Sequence, residues 1–221
     1  MEIRKWKGFW FEPGLIKCAM KFSSSFQAGN DDVLLASAPK TGTTWLKALC
    51  LCILHQNHNI PENEDLLTQD NPQFHGNQEP YPLEKAVDEF CTGVHQYGPY
   101  FENVLGYWSE SQKRPEKILF LKYEEMIKDP KEQVRKLGLF LGKPFEKEED
   151  LEKVVWRCSL ERLRNLEVNK NGSVIYGVPN GSYFRKGIVG DWKNYLNLEM
   201  EDRINQTTLL KFKDSGLEFE N

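Results

Sequence analysis

The chain has 221 residues, of which 39% are hydrophobic and 28% are charged, and its formal net charge is −4. This length suits one domain with a sizeable core. The near balance of charge excludes the strongly basic surface typical of proteins that bind nucleic acid or anionic membranes. No apolar run reaches the roughly 18 residues that a transmembrane helix needs.

The first residues and the cysteines predict a cytoplasmic protein. Met1–Trp6 lacks the continuous apolar stretch of a secretory signal. The five cysteines lie in apolar runs or helix-like segments, which is typical of reduced core cysteines. Cys50 and Cys52 have the wrong spacing for a zinc site, and no second pair lies near them. We therefore expect no bound metal.

Apolar strands alternate with helices along the chain. An aromatic and basic segment, Trp6–Phe11, predicts a surface arm, and Asn30–Asp32 predicts a turn. Apolar periodicity and helix-breaking residues predict a strand at 33–37, a helix at about 44–55 and a polar stretch at 57–82. A helix from Leu83 that ends at Gly98-Pro99, a helix carrying Tyr100–Trp108 and a strand at 117–122 follow. The last predicted elements are helices near 130–141 and 147–157, irregular chain at 168–190 and a helix near 199–212. This order predicts an α/β protein with a parallel sheet, which binds its ligand at the carboxyl ends of the strands.

The most informative segment is Ala38-Pro39-Lys40-Thr41-Gly42-Thr43-Thr44-Trp45, between the first predicted strand and the helix after it. A helix N-terminus carries partial positive charge and N–H donors, so this order predicts a site for a phosphate or a similar anion. The small residues at 41–44 let an anion approach the backbone, and three hydroxyls can donate to it. The lysine precedes the glycine, whereas it follows the glycine in the pattern G-x-x-x-x-G-K-[ST]. The segment therefore does not indicate an ordinary ATPase.

This segment resembles the 5′-phosphosulfate loop of the cytosolic sulfotransferases. A second segment, Tyr183–Asn194, resembles the 3′-phosphate signature of the same family. Segments between them, in the same order, are similar to the plant, flavonol-type branch: Gly106–Trp108, Ile118–Met126 with Lys128–Pro130, and Asn165–Lys170. The resemblance covers nearly the whole chain and implies a P-loop-like, three-layer α/β/α fold with a parallel sheet.

The resemblance implies that 3′-phosphoadenylyl sulfate is the co-substrate, used without a metal to sulfate a hydroxyl of a small phenolic, flavonoid or steroid-like acceptor. Lys40 is the expected catalytic residue, because a lysine there can stabilise the negative charge that develops on the leaving phosphate oxygen. Ser159 lies where the family has an adenine-side serine, and Leu160 follows it in place of a phenylalanine. The expected donor-binding residues are Lys40, Thr41, Gly42, Thr43, Thr44, Trp45, Tyr123, Arg185, Lys186 and Gly187.

Several of these residues also have an ordinary structural interpretation, which the sequence leaves open. Thr43 or Thr44 can cap the helix through a side-chain oxygen, and Trp45 can pack in a core. Tyr123 can be an interfacial tyrosine, and the pair Arg185-Lys186 can be a surface feature.

One part of the family pattern is absent from this chain. The family's segment that holds the catalytic histidine, a phosphate-binding arginine and serine, and two sheet strands has no counterpart here. Residues 1–221 are therefore interpreted as a single sulfotransferase-like domain with an internal deletion near 72–82, so that central strands are missing. We expect that loss to uncover apolar helix faces. The side chains concerned are Phe90, Tyr100, Val104 and Trp108.

The four histidines, His55, His58, His75 and His95, lie outside the family's motifs and are interpreted as structural or solvated, so no catalytic base is assigned. Two other functions stay open. One is a non-catalytic remnant that binds the bisphosphate nucleotide or forms a homo- or heterodimer with relatives. The other is a phosphoryl-transfer protein with a variant phosphate loop. This function is disfavoured because no aspartate at the end of an apolar strand is placed to hold Mg²⁺.

Overall fold

The computed structural model describes residues 2–38, 41–55, 81–171, 173, 179–184 and 186–219. The chain divides into two compact units, the first made of residues 1–34, 80–120 and 191–221 and the second of residues 35–79 and 121–190. Within the described ranges, none of the helices combines the length and the hydropathy that a membrane span requires.

The described residues form ten α-helices and one β-hairpin. The hairpin consists of β1 (Arg4–Trp6) and β2 (Phe9–Phe11). The helices are α1 (Pro13–Ser25), α2 (Thr43–Leu54), α3 (Leu83–Thr92), α4 (Tyr100–Lys113), α5 (Tyr123–Lys128), α6 (Pro130–Phe140), α7 (Glu148–Arg157), α8 (Leu160–Asn165), α9 (Glu167–Asn171) and α10 (Leu198–Phe212).

The N-terminal segment is regular structure rather than the surface arm that its composition predicts. β1 and β2 pair antiparallel across the two-residue turn Lys7-Gly8. Both turn residues have positive φ, 47° and 90°, which matches the twist of a tight hairpin. The strand β2 is also held by the amide of Trp10, which donates to the carbonyl of Gly98 at 3.0 Å. The missed signal is Lys7-Gly8 between Trp6 and the aromatic triplet Phe9–Phe11.

The core of the first unit is formed by α3, α4, α10 and the residues after α10. Phe101, Phe212 and Leu217 are each at most 7% exposed and pack together. The side chains that the deletion was expected to uncover are half-buried against this cluster: Phe90, Tyr100, Val104 and Trp108. That expectation is wrong, because α10 and the chain after it supply apolar surface for these side chains.

The core of the second unit is formed where α2, α6 and α7 pack on one another. Five of its side chains are at most 1% exposed: Leu49, Ile53, Val134, Leu151 and Cys158. The ends of the short helices are fixed by side chains, since Asp129 accepts from the amide of Glu132 and Ser159 accepts from the amide of Arg162. A rigid framework therefore carries the loops of this unit.

The two predicted strands at 33–37 and 117–122 are not formed. Both segments lack helix and strand pairing, and Val33 and Leu34 are 47% and 69% exposed. Among the described residues, the paired segments are the antiparallel hairpin and one isolated bridge between Ser173 and Pro179, so the expected parallel sheet is not found there. A strand needs a neighbour for its hydrogen bonds, and no described segment supplies one.

The cysteines follow the prediction in part. All five are free thiols, and Cys50, Cys52 and Cys158 are buried. Burial raises the pKa of the Cys50 thiol to about 11, so that side chain stays protonated. Cys18 is exposed and Cys91 half-buried, so the prediction that these two are core residues is wrong; both lie on helices but near the surface.

Candidate functional site

The helix α2 begins at a left-handed glycine. Gly42 has φ 97° and ψ 16°, a conformation that costs other residues roughly 1–2 kcal/mol. Its carbonyl accepts the first helical hydrogen bond, from the amide of Leu46 at 3.0 Å. The preceding turn is closed by Thr41, whose hydroxyl donates to the carbonyl of Ala38 at 2.7 Å. The first turn of α2 therefore directs amide N–H groups out of the helix end, as an anion site requires.

The hydroxyls of this turn are not equivalent. Thr43 Oγ1 lies 2.5 Å from Ser37 Oγ, so the two hydroxyls share a hydrogen bond. Gly42 occupies the capping position, whereas Thr43 and Thr44 lie inside α2. The alternative that one of these threonines is the capping residue is therefore wrong. Ser37 was not among the predicted residues, although a hydroxyl six positions before Thr43 was visible in the sequence.

The ring of Tyr123 forms one wall beside this turn. A Cβ built on Gly42 would lie 3.2 Å from Tyr123 Cδ2, so the glycine backbone touches the ring. Trp45 meets the same ring edge-on, with 6.1 Å between centroids and 78° between planes. Burial, and then the negative charge of Glu124, raises the pKa of the Tyr123 phenol, which therefore stays neutral at pH 7. The structure thus brings the predicted residues Gly42, Trp45 and Tyr123 together.

A second contact group joins α8 to the predicted 3′-phosphate segment. Gly187 has φ 65°, and a Cβ there would lie 2.3 Å from Leu160 Cδ2, so its backbone rests directly on that side chain. Three residues earlier, the buried Phe184 accepts at its carbonyl a hydrogen bond of 3.0 Å from Arg164 Nε. Lys186 lies between these two contacts and is exposed.

Some predicted residues lie outside the described part of the chain. These are Lys40, Arg185, His58, His75 and most of the proposed deletion region, 72–80. Their predicted roles remain predictions.

The two described histidines, His55 and His95, lie in different units. His55 is the residue at which α2 ends. His95 Nδ1 lies 3.1 Å from the carbonyl of Gln96, and its ring stacks on Phe90 at 5.8 Å. These contacts agree with a structural role for His95. Within the described ranges, no group of three or more His, Cys, Asp or Glu side chains is arranged to hold a metal ion.

The sequence matches one protein family over most of its length. The profile described as "Sulfotransferase domain" matches residues 30–77 and 68–216. Cytosolic sulfotransferase 3 of Arabidopsis thaliana is 32% identical to the chain, and the alignment covers 100% of this chain and 89% of the relative. Flavonol 4′-sulfotransferase of Flaveria chlorifolia is 36% identical, with 98% of this chain and 90% of the relative covered.

The chain belongs to the sulfotransferase family.

Solved structures show the same relationship at the level of the fold. Mouse sulfotransferase SULT7A1 complexed with PAP aligns with a TM-score of 0.70 at 22% identity, covering 96% of this sulfotransferase and 95% of that chain. Retinol dehydratase in a complex with retinol and PAP aligns with a TM-score of 0.74 at 18% identity, covering 97% and 90%. The chain therefore shares the α/β fold of these proteins.

The alignments also bear on the predicted internal deletion. The alignment with the Arabidopsis relative spans 281 positions although this chain has 221 residues, so at least 60 positions face gaps in this sulfotransferase. The family profile matches in two segments that overlap at 68–77.

Proposed function

We propose that the chain binds 3′-phosphoadenylyl sulfate and transfers its sulfuryl group to a hydroxyl of a small phenolic, flavonoid or steroid-like acceptor. The observation that carries this proposal is the turn at 41–45, where the left-handed Gly42 packs against the Tyr123 ring at the start of α2. The acceptor class is supported by relatives named as flavonol sulfotransferases. Relatives named cytosolic support a cytosolic location.

The turn residues would hold the 5′-phosphosulfate end of the donor. Amide groups at the head of α2 and the hydroxyls of Thr43 and Thr44 can donate to its oxygens. When bound, the donor supplies a sulfuryl group whose S–O bond to phosphate breaks as a new S–O bond to the acceptor oxygen forms. Lys40 stabilises the negative charge that this leaves on the phosphate oxygen. The acceptor's proton passes to a base that we do not assign.

The rest of the donor would be held by two other groups. Tyr123 and Trp45 present aromatic surface beside the turn, which suits the adenosine portion. Arg185, Lys186 and Gly187 would bind the 3′-phosphate through two cations and a close backbone approach. The proposed donor site contains no carboxylate or imidazole, and the family resemblance implies a transfer without a metal.

We further propose that residues 1–221 are one sulfotransferase domain with an internal deletion near 72–82. The overlap of the two profile matches at 68–77 supports this position, and the surplus of at least 60 aligned positions supports its size. Sequencing of genomic DNA and transcript across Gln69–Leu83 tests it directly. If the gene contains coding sequence for the family's missing segment at that point, it encodes a protein longer than this 221-residue chain.

The decisive experiment for transfer is a sulfation assay with purified chain, 3′-phosphoadenylyl sulfate and a panel of phenols, flavonols and steroids. We expect product that depends on the donor and is lost in Lys40→Ala. Lys153→Ala is the matched control, because Lys153 is an exposed lysine paired with Asp150 on α7. Complete silence from folded protein contradicts the transfer proposal. Magnesium-dependent ATP hydrolysis abolished by Lys40→Ala would instead indicate a phosphoryl-transfer protein.

A second candidate function is donor-site binding without transfer, alone or in a homo- or heterodimer with relatives. The gaps in the alignment with the Arabidopsis relative favour it, because the resemblance assigns the catalytic histidine to a segment without a counterpart in this chain. Calorimetry with adenosine 3′,5′-bisphosphate distinguishes the two. Binding without sulfation supports the second function, and absence of binding contradicts both.

A further inference from the structure

We infer that Arg164 is a positioning residue for the 3′-phosphate end of the donor site, because its guanidinium anchors the carbonyl of Phe184, the first of residues 184–187. These residues are called the 184–187 segment below. The inference rests on the proposed donor site and adds to it a residue that the family resemblance does not include.

The anchor is a hydrogen bond between residues 20 positions apart. Arg164 Nε donates to the carbonyl of Phe184 at 3.0 Å, a normal length for such a bond. The donor is charged, and hydrogen bonds with one charged partner are about twice as strong as neutral ones. Phe184 is itself 5% exposed, so this end of the segment is fixed by both its side chain and its carbonyl.

The other end of the segment is fixed by the same helix. The backbone of Gly187 lies against Leu160, where an added Cβ would come within 2.3 Å of Cδ2. Leu160 and Arg164 are four residues apart, so they lie on one face of α8 a single turn from each other. That face therefore contacts both Phe184 and Gly187, and Lys186 lies between the two contacts.

The helix is a firm base for these contacts. Ser159 caps it by accepting from the amide of Arg162 at 3.2 Å. Leu163 is 3% exposed, and its carbonyl accepts from Asn169 Nδ2 at 2.7 Å. Arg164 thus connects a helix that is held by the buried Leu163 to an otherwise irregular segment.

Anchoring matters because phosphate recognition depends on donor geometry. Charge-assisted hydrogen bonds to phosphate need donor–acceptor distances near 2.7–2.9 Å, so a backbone displaced by about 1 Å loses them. Loss of the Arg164 anchor should weaken contacts to the 3′-phosphate and spare those to the 5′-phosphate at α2.

The test measures the binding of two nucleotides to Arg164→Met and Arg164→Gln by calorimetry. Adenosine 3′,5′-bisphosphate carries the 3′-phosphate, and adenosine 5′-monophosphate lacks it. We expect Arg164→Met, which has no donor, to weaken bisphosphate binding about tenfold, the size of one lost charged hydrogen bond, and to change monophosphate binding less than about twofold. Arg164→Gln removes the charge but keeps an N–H where Nε stood, so it can still donate to the carbonyl and should recover most of the loss. Lys153→Met removes a positive charge elsewhere on the unit and should change neither affinity.

Salt concentration separates anchoring from a simple charge effect. Through-space attraction is screened within about 3 Å at 1 M ionic strength, so a loss caused by anchoring persists at high salt and a loss of charge alone does not. Equal weakening of both nucleotides, no weakening, or a loss that disappears at 1 M salt would each overturn the inference. If wild-type protein binds neither nucleotide, the proposed function fails with the inference. If wild type binds and Arg164→Met behaves like wild type, only the inference fails. Arg164→Leu, which also lacks a donor, replaces Arg164→Met in the test should that variant not fold.

Discussion

Two glycines of the candidate site are constrained by both conformation and contact. The sequence motif accounts for Gly42 and Gly187 by the close approach of an anion. The structure adds that both have positive φ and that both backbones touch a side chain, Tyr123 in one case and Leu160 in the other. A glycine in such a position cannot be replaced without moving its neighbour.

Gly42→Ala should therefore lower both stability and nucleotide binding. The left-handed backbone costs alanine about 1–2 kcal/mol, and the new methyl group lies 3.2 Å from the Tyr123 ring. Urea unfolding and calorimetry with adenosine 3′,5′-bisphosphate measure the two effects. Gly106→Ala is the control, since nothing lies within 4 Å of its Cβ position inside α4, and it should gain about 0.5–1 kcal/mol. Unchanged binding in Gly42→Ala would contradict the donor site at this turn.

At the level of single elements, helices with clear apolar periodicity were predictable and strands were not, whereas the helix Pro13–Ser25 was not predicted. The predicted helix at 44–55 corresponds to Thr43–Leu54, and that near 199–212 to Leu198–Phe212. A helix satisfies its hydrogen bonds within one segment, so local sequence is sufficient to predict it. The segment at 33–37 has strand-like sequence, but its pairing depends on a distant neighbour that local sequence does not report.

In the candidate site, too, features encoded by contiguous residues were predictable and long-range contacts were not. The turn at 41–45 could be predicted because its residues are contiguous and their chemistry is specific. Ser37 and Arg164 could not, because their roles depend on contacts with Thr43 and Phe184 that only the folded chain creates. A hydroxyl or a guanidinium by itself carries no signal of that kind.

The ion pair between α4 and α10 predicts a pH effect. Partial burial alone would raise the pKa of Glu102, but the hydrogen bond from Lys211 at 2.6 Å, a backbone hydrogen bond and the charges of Lys211 and Lys5 together outweigh it and lower the pKa below its ordinary value. A lowered pKa stabilises the fold above that value, and the stability is lost as the pH falls through the folded-state pKa. Glu102→Gln should thus cost about 0.5 kcal/mol at pH 7, since the pair is largely exposed, and progressively less as the pH falls through the folded-state pKa.

Urea unfolding of wild type and Glu102→Gln at pH 7, 5 and 3 measures this difference. Glu116→Gln serves as control, because Glu116 is exposed in the turn after α4. If the difference in unfolding free energy between wild type and Glu102→Gln grows as the pH falls, the trend is opposite to the expected one and contradicts the ion pair.

The aromatic core of the first unit depends most on Phe101. This side chain is 1% exposed, and its ring centroid lies 5.2 Å from that of Phe90 and 5.4 Å from that of Phe212. Phe101→Ala leaves a cavity among these rings and should cost about 3–5 kcal/mol in unfolding free energy. Leu209→Ala, at a site 72% exposed, should stay within about 0.5 kcal/mol in the same denaturant titration. Similar values for the two variants would mean that this core does not form.

For the whole molecule, the exposed segment at 33–37 predicts self-association. Among the described residues, its backbone pairs with no neighbouring strand, and Val33 and Leu34 are exposed. Unpaired apolar strand edges are sites where chains aggregate. We expect purified protein to associate with rising concentration and to bind the dye ANS, as judged by sedimentation velocity and fluorescence.

Leu34→Lys should increase the monomer fraction in those measurements, because a charge on this exposed segment opposes its pairing with a second chain. Leu210→Lys is the matched control, since Leu210 is 73% exposed but lies on α10, where the backbone is satisfied within the helix. An equal gain from both substitutions would assign the association to general hydrophobicity. A cooperative melt of a monomeric wild-type chain would contradict the prediction altogether.

The residues that follow α10 have a practical consequence for recombinant work. The indole of Trp108 donates to the carbonyl of Ser215 at 2.9 Å, and Leu217 is only 3% exposed beside Phe101 and Phe212. A stop codon introduced soon after Lys213 would therefore delete interior side chains rather than a dispensable tail. Purification tags that replace these residues would have the same effect, whereas a tag appended beyond Asn221 keeps them.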